Sequence, residues 1–90
     1  MIKPYLTARF QKDVKLAVKR GKRVEKLTAV IQLLCAGTPL PERYFDHALF
    51  GKYKGFRDCH IEPDWILIYR IEQERLILIL SRTGTHSDLF

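Results

Sequence analysis

The amino-acid sequence predicts a domain of the α+β class, in which a two-helix hairpin covers one face of an antiparallel sheet. Apolar residues recur at helical spacing from residue 8 to residue 34, with a break at Gly21. From residue 53 to residue 82 they instead form short runs that are separated by polar turns. Turns of this length require antiparallel neighbours, so the predicted element order is β-α-α-β-β-β.

Length and composition limit the organisation of the chain. With 90 residues, of which 47% are hydrophobic, we expect a single domain over residues 1 to 90, since a second core could not be filled. The longest apolar runs, 65–69 and 76–80, are far shorter than the roughly 20 residues of a membrane helix. The first residues lack the apolar region of a secretory signal, and Cys35 and Cys59 have no paired spacing. We therefore expect a cytoplasmic protein with two reduced thiols and no membrane contact.

The first half of the predicted fold is a strand followed by two helices. Residues 2 to 6 include Pro4, which favours an edge strand because proline cannot donate a ladder hydrogen bond. Thr7 is the expected N-cap of the first helix and Gly21 its stop signal. The apolar stripe of this helix comprises Phe10, Val14, Ala17 and Val18. The second helix is predicted to end at Gly37, with an apolar face formed by Val24, Leu27, Val30, Ile31 and Leu34.

The second half is predicted to contain three consecutive strands, over residues 53–61, 65–71 and 75–82. Two short polar turns connect them, Glu62-Pro63-Asp64 and Glu72-Gln73-Glu74. The runs at 66–68 and 76–80 do not alternate with polar residues. This pattern indicates strands that are covered on both faces over much of their length.

The positive charge of the chain is concentrated at its start. Residues 1 to 26 hold nine basic and two acidic residues, a net charge of +7, and the remainder holds seven basic and eight acidic residues, a net charge of −1. Lys12, Lys15 and Lys19 lie opposite the apolar stripe of the first helix. Such a face is typical of a surface that binds a polyanion such as nucleic acid, and a solvated lysine-rich helix face fits equally well.

A core does not account for five polar residues: His47, His60, Asp64, Arg82 and His86. His60, Asp64, Arg82 and His86 are expected near one end of the predicted sheet, and His47 precedes a break in the pattern at Phe50-Gly51. His60 and Asp64 flank the first tight turn, so they should lie close together, with Trp65 beside them. The third strand returns along the second and brings Arg82 to the same end. Gly84 is expected to turn the chain there, so that His86 follows close by.

Histidine, aspartate and arginine together can supply the chemistry of RNA cleavage by the RNA's own 2′-hydroxyl. This reaction needs a base for the 2′-hydroxyl proton, an acid for the leaving 5′-oxygen, and a cation that balances charge on the phosphate. Histidine can serve as base or acid near neutral pH, and arginine binds phosphate oxygens through paired N–H groups. Trp65 and Phe90 could stack on unpaired bases.

Each of these residues also has an ordinary interpretation. A single histidine at a strand end is usually a surface residue, Asp64 follows a proline in a turn, and Trp65 is more often core than a stacking platform. Zinc binding is weakly supported, because Cys59 and His60 point to opposite strand faces and no HxH, HxxxH or CxxC spacing is present. The chemistry alone leaves a nuclease and a structural role open, and it implies no metal and no cofactor.

A longer pattern makes the nuclease interpretation more specific. The segment DHALFGKYKGFRDCHIEPDWILIY at residues 46–69 and the ending RTGTHSDLF at residues 82–90 resemble the signature of the YafQ type within the RelE superfamily of toxins. The segment KDVKLA at residues 12–17 and the order of elements match as well, so the resemblance spans nearly the whole chain. Ala48, where relatives are expected to have proline, and the ending at Phe90 depart from the pattern, but neither supplies proton transfer.

The resemblance implies a RelE-like fold and a type II toxin that cuts messenger RNA in the ribosomal A site. It also implies contact with ribosomal RNA and silencing by a DinJ-like ribbon-helix-helix antitoxin. Carried over by position, the catalytic set is His47 as base, His86 as acid, His60 and Asp64 as orienting or stabilising groups, and Arg82 as phosphate ligand. The RNA-binding set is Trp65 and Phe90, to which the basic helix adds Lys12, Lys15 and Lys19.

Two alternatives belong to other functional classes. A toxin of the same fold can act without RNA cleavage, as the ParE-type toxins do on DNA gyrase, although that group lacks the histidine constellation of this chain. A degenerate toxin could retain only antitoxin or nucleic-acid binding. Transcripts that are cut at defined codons would separate RNA cleavage from both, and we expect this cleavage to need no metal.

Overall fold

In the computed structural model, which describes all 90 residues, five strands form one sheet. They are β1 (Lys3–Leu6), β2 (His47–Ala48), β3 (Arg57–Glu62), β4 (Trp65–Glu72) and β5 (Ile77–Gly84). Their order across the sheet is β1-β5-β4-β3-β2. β3, β4 and β5 pair antiparallel, as expected. The two-residue β2, which was not predicted, pairs antiparallel with β3, whereas β1 runs parallel to β5. The α+β class is confirmed, but the sheet is mixed, because no turn constrains a strand that helices separate from its partner.

Three α-helices accompany the sheet: α1 (Ala8–Lys19), α2 (Val24–Cys35) and the short α3 (His86–Leu89). The side chain of Thr7 accepts a hydrogen bond from the backbone N–H of Phe10, which confirms the predicted N-cap of α1. Gly21 and Gly37 have positive φ angles of 83° and 74° just beyond α1 and α2. They therefore end the two helices as predicted. No helix is both long and apolar enough to cross a membrane.

The two faces of the sheet are covered by different elements. On one face, α1 and α2 pack through a buried cluster of Phe10, Ala17, Leu27, Val30, Leu34, Cys35, Cys59, Trp65, Leu67, Tyr69, Leu78 and Leu80. On the other face, Ile66 and Ile68 pack against Leu89 of α3. Every residue of β4 from Trp65 to Tyr69 is buried, which confirms a strand covered on both faces. Val18 is more than half exposed, so the predicted stripe of α1 was one residue too wide.

The boundaries of two strands differ from the prediction. β3 begins at Arg57, not at residue 53, because residues 51–53 form a 3₁₀ turn and Gly55 has a φ of 92°. β5 is shifted to Ile77–Gly84, since Leu76 takes a positive φ of 53° in the preceding turn. Gly84 was expected to turn the chain, but it is the last residue of β5. It is required for another reason: a Cβ there would lie 2.8 Å from Oδ2 of Asp88.

Candidate active site

The three histidines form a row on the sheet face opposite α1 and α2. His60 alternates in β3 with the buried Cys59, so its ring faces away from the two long helices. The ring centroid of His60 lies 6.4 Å from that of His47 and 5.6 Å from that of His86. The exposed rings of Phe45 and Phe90 lie at either end, 5.8 Å from His60 and 6.1 Å from His86 respectively. His60 and His86 therefore lie close together, as expected, and His47, whose position was not predicted, lies on the other side of His60.

Each histidine ring is anchored through Nδ1. Nδ1 of His47 lies 2.7 Å from the carbonyl oxygen of Phe45, and Nδ1 of His60 lies 3.2 Å from that of Pro63. A carbonyl oxygen can only accept, so both Nδ1 atoms carry the hydrogen and donate it. In the neutral ring the lone pair is then on Nε2, which is the atom left to exchange a proton with a substrate.

His86 is held in the same way by a carboxylate. Oδ1 of Asp64 accepts from both the backbone N–H of His86, at 3.0 Å, and its ring Nδ1, at 2.9 Å. These two hydrogen bonds lower the pKa of Asp64, so its carboxylate is ionised at neutral pH and fixes the ring. Asp64 was expected beside His60, but its hydrogen-bond partner in the structure is His86.

The short helix that carries His86 is fixed at several points. Thr85 and Asp88 form a reciprocal capping box at its N-terminus. The Asp88 carboxylate also receives two hydrogen bonds from the Arg20 guanidinium at the end of α1, at 2.6 and 3.2 Å. This ion pair lowers the pKa of Asp88. The adjacent Leu89 is buried, so α3 is pinned to both the sheet and α1.

Asp58 is a site residue that the sequence analysis missed. It is directly opposite His47 in the β2–β3 ladder and only 3% exposed. Its Oδ1 lies 3.1 Å from Nδ1 of His47, yet the hydrogen of that atom points to Phe45, so Oδ1 is buried without a hydrogen-bond partner. Burial raises the pKa of Asp58, and the nearby His47, His60 and His86 partly oppose this. The available signal was its position two residues before His60, on the same strand face.

Arg82 occupies a different environment from the one expected. Its guanidinium forms an ion pair with Asp13 of α1, with N–O distances of 2.7 and 3.2 Å, and the side chain is only 15% exposed. Asp13 also accepts from the backbone N–H of Thr83. The ion pair with Asp13 raises the pKa of Arg82, so its charge is already balanced within the protein.

Trp65 is a core residue. It is 1% exposed, and its indole N–H donates to the hydroxyl of Thr83 at 2.9 Å, which in turn donates to the carbonyl of Ile66. No face of the ring is open to a base, so the structure corrects the expectation that Trp65 stacks on RNA. The exposed ring of Phe90 packs edge-on against Tyr53 beside His86 and can take that role.

The expected basic face of α1 is present. Lys12, Lys15 and Lys19 are all exposed and form no ion pair within the chain. They lie opposite the buried Phe10 and Ala17. These lysines are therefore free to contact an external polyanion.

Comparison with known proteins extends these observations. The family described as "Bacterial toxin of type II toxin-antitoxin system, YafQ" matches residues 2–90. The mRNA interferase toxin YafQ of Escherichia coli strain K12 is 51% identical over 85 residues, which are 93% of this chain and 90% of that protein. The toxin in a crystal structure of the E. coli DinJ-YafQ complex has a TM-score of 0.90 at 46% identity, over 100% of this chain and 99% of that chain. A metal-bound toxin from Helicobacter pylori has a TM-score of 0.94 at 40% identity, over 100% of both chains.

Proposed function

The chain belongs to the YafQ family of bacterial type II toxins, and on this premise we propose that it is an endoribonuclease that cuts messenger RNA in the ribosomal A site. The observation that carries the proposal is the row of three histidines, in which every Nδ1 is anchored and every Nε2 is free. The relative in E. coli is an mRNA interferase. The row offers both a proton acceptor and a proton donor on one surface, as RNA cleavage requires.

In the proposed reaction, Nε2 of His47 takes the proton of the 2′-hydroxyl. The 2′-oxygen then attacks the adjacent phosphorus, and the bond from phosphorus to the 5′-oxygen breaks. Protonated His86 gives its proton to that leaving oxygen. The products are a 2′,3′-cyclic phosphate and a 5′-hydroxyl, so all atoms and protons balance. His60, which lies between the other two rings, stabilises the charge that develops on the phosphate.

Two further groups complete the proposed set. Asp64 orients the ring of His86 and stabilises its charged form through the hydrogen bond to Nδ1. Arg82 is the proposed phosphate ligand, and this role requires that Asp13 releases it when RNA binds, because the two residues are paired in the free protein. The two parallel hydrogen bonds that the Arg82 guanidinium donates to the Asp13 carboxylate would then be replaced by two hydrogen bonds to phosphate oxygens.

The proposed partners follow from the surfaces around the row. Lys12, Lys15 and Lys19 bind ribosomal RNA through phosphates, and Phe90 stacks on a base of the messenger. The silencing partner is a DinJ-like ribbon-helix-helix antitoxin, because the relative in E. coli forms a DinJ-YafQ complex.

Cleavage is proposed to need no metal, because the three histidines supply the required proton transfers. No group of three His, Cys, Asp or Glu side chains converges closely enough to hold a metal ion. The metal-bound relative from H. pylori makes metal analysis of the purified protein an essential control. Stoichiometric zinc or copper that is required for cleavage would contradict this part of the proposal.

Induction in a bacterium with transcript 5′-end mapping tests the proposed function. We expect growth arrest and cuts at defined codons, and no cut where the 2′-oxygen is methylated in a reconstituted ribosome assay. Normal cleavage of the methylated messenger would contradict the proposed mechanism. Growth arrest without cut transcripts would instead favour a toxin of this fold that acts on another target, such as DNA gyrase.

A further inference from the structure

A groove of about 830 Å³ opens beside the histidine row. It lies between α2, the 3₁₀ turn at Glu42–Tyr44 and the end of β3, and its lining includes Lys26, Arg43, Phe45, His47, His60 and Pro63. Two of these residues, His47 and His60, belong to the proposed catalytic set. The groove is therefore continuous with the place where the scissile phosphate would lie.

Phe45 has an unusual conformation at the mouth of this groove. Its φ of 49° places a bulky residue in the left-handed region, and its ring is 68% exposed. This backbone directs the Phe45 carbonyl to Nδ1 of His47, while the ring packs edge-on against His60. An exposed apolar ring on a strained backbone contributes little to the core, and such strain is concentrated at functional sites.

The charges in the groove leave one cation without an ion pair. Two carboxylates line the groove and both are already paired: Asp46 with Arg57 and Tyr69, and Glu62 with Lys22 and Lys26. Arg43 has no carboxylate partner. Its guanidinium only lies 4.8 Å over the ring of Tyr44 and donates to that hydroxyl. The groove thus combines an open aromatic face with a free guanidinium.

We propose that this groove is a nucleotide subsite, in which the base stacks on Phe45 and the phosphate on its 5′ side binds Arg43. This inference rests on the proposed function and names the substrate contact of the same site. Because His47 is the proposed base, the groove takes the nucleotide that carries the attacking 2′-hydroxyl, upstream of the cut. Phe90, beside the acid His86, then takes the downstream nucleotide.

A nucleotide fits these observations better than a segment of a partner protein. A base presents a flat face to an exposed ring, and its phosphate matches an unpaired guanidinium. The groove also ends at two histidines whose free Nε2 atoms face the substrate in the proposed reaction. An antitoxin segment is the competing occupant, and the experiment separates the two.

Kinetics on programmed ribosomes test the subsite, with messengers that carry a purine or a pyrimidine immediately upstream of the cut. Phe45→Leu keeps the backbone carbonyl but removes the aromatic face. We expect kcat/KM to fall by roughly 5- to 150-fold, as the loss of one stacked base predicts. The fall in kcat/KM should be larger for the purine messenger, since purines stack better. Phe45→Trp, which keeps an aromatic face, should retain the wild-type kcat/KM. Arg43→Gln should raise KM and flatten its salt dependence by about one phosphate contact.

Phe50→Leu is the matched control, because Phe50 is 85% exposed and lies outside the groove. Cleavage by this variant should equal that of the wild type. Unchanged kinetics and base preference in Phe45→Leu would overturn the subsite while leaving the proposed function intact. The subsite would also be overturned if Phe45→Leu lost only its affinity for the antitoxin. A change in base preference downstream of the cut, with none upstream, would overturn it as well. A wild-type protein that cuts no messenger would overturn both proposals.

Circular dichroism and thermal melting distinguish a folding defect from a lost contact. If Phe45→Leu does not fold, Phe45→Trp decides the question, since a larger ring should strengthen the upstream purine preference. An unaltered preference in a folded Phe45→Trp would then overturn the subsite.

Discussion

The two ends of the histidine row hold the same chemical group by different means. His86 begins a four-residue helix that a capping box, an ion pair to Arg20, the Asp64 carboxylate and a buried leucine all fix. His47 lies in a two-residue strand at the edge of the sheet, and its ring is held by the Phe45 carbonyl. Beneath it lies a buried carboxylate oxygen that has no hydrogen-bond partner.

This difference shows two ways to position an imidazole of the proposed catalytic set. The His86 end uses several independent contacts, so its geometry is redundant and its carboxylate is satisfied. The His47 end instead keeps a buried carboxylate at Asp58, one oxygen of which accepts no hydrogen bond, and this costs stability and places negative potential under the row. We expect cleavage to be sensitive to the packing of α3 at the His86 end, and to the charge of Asp58 at the His47 end.

The largest expected effect is on chemistry at either end. His86→Ala and His47→Ala should each slow cleavage by roughly 10²–10⁴-fold, the usual contribution of a general acid or base. Both rings are largely exposed, so thermal stability and ribosome binding should stay close to wild type. Cleavage is measured in single turnover on programmed ribosomes. A variant that cuts at the wild-type rate would remove its histidine from the proposed mechanism.

Shape at the His86 end is tested by Gly84→Ala. The added Cβ would lie 2.8 Å from Oδ2 of Asp88, so the carboxylate must leave its position between Thr85 and Arg20. We expect up to about 10²-fold slower cleavage, because a misplacement of about 1 Å can have that effect. Asp88→Asn provides the control: if both changes act through α3, the double variant should be little worse than either single one. Fully additive losses would contradict the shared cause.

Charge at the His47 end is tested by Asp58→Asn. The neutral amide should raise the free energy of unfolding by about 1–3 kcal/mol, since a buried carboxylate oxygen that accepts no hydrogen bond carries a penalty of that order. Cleavage should fall, because the carboxylate that attracts protonated imidazoles is lost. Urea unfolding and single-turnover cleavage measure the two effects, with the exposed Glu74→Gln as a charge-matched control. Lower stability together with unchanged cleavage would refute this account of Asp58.

The basic face of α1 should matter for binding and not for either end of the row. Replacing Lys12, Lys15 and Lys19 by glutamine should weaken ribosome binding and reduce the slope of log K against log salt by up to about three phosphate contacts. The rate of the bound complex should be unchanged. An unaltered slope would make these lysines an ordinary solvated helix face.

The smallest expected effect is an opposite response of the two ends to acid. The pKa of Asp64 and that of Asp88 are lowered in the folded state, so their stabilisation is present above about pH 4 and is lost as the pH falls further. The pKa of Asp58 is raised, so its protonation on acidification relieves the penalty of burial. Hydrogen exchange between pH 5 and pH 3 should show α3 amides losing protection relative to those of β2 and β3. Equal loss at both ends would contradict the distinction.

The sequence predicted most of the fold because periodicity and turn residues report local geometry. The helix stops at Gly21 and Gly37 and the buried β4 are examples. The approach of His60 to the segment that carries His86 followed from the antiparallel turns in the same way, whereas the position of His47 in the short strand β2 was not predicted. The pairing of β1 with β5 could not be predicted, since no local signal links two segments that helices and other strands separate.

The wrong predictions in the candidate site concern the partners, orientation and burial of side chains. The chain segments that form the site were predicted more accurately. Asp13 and Arg82 are 69 positions apart, so their ion pair has no local signature. Trp65 was correctly placed next to the site, but strand spacing alone did not show which face of the sheet its ring would enter. Asp58 lies on the same strand face as His60, but the sequence does not show that its carboxylate is buried, and burial is what distinguishes it from a surface residue.

The parallel pairing of β1 with β5 has a consequence for the order of folding during synthesis. β1 precedes the other elements of this fold, and its partner β5 comes after β2, β3 and β4 and directly before the helix that carries His86. Contacts between distant segments form late and slow folding. The sheet therefore cannot be completed until β5 has been synthesised, and His86, which follows β5, is synthesised later still. A ribonuclease that used His86 in the proposed way would therefore gain its general acid only after all five strands of the sheet had been synthesised.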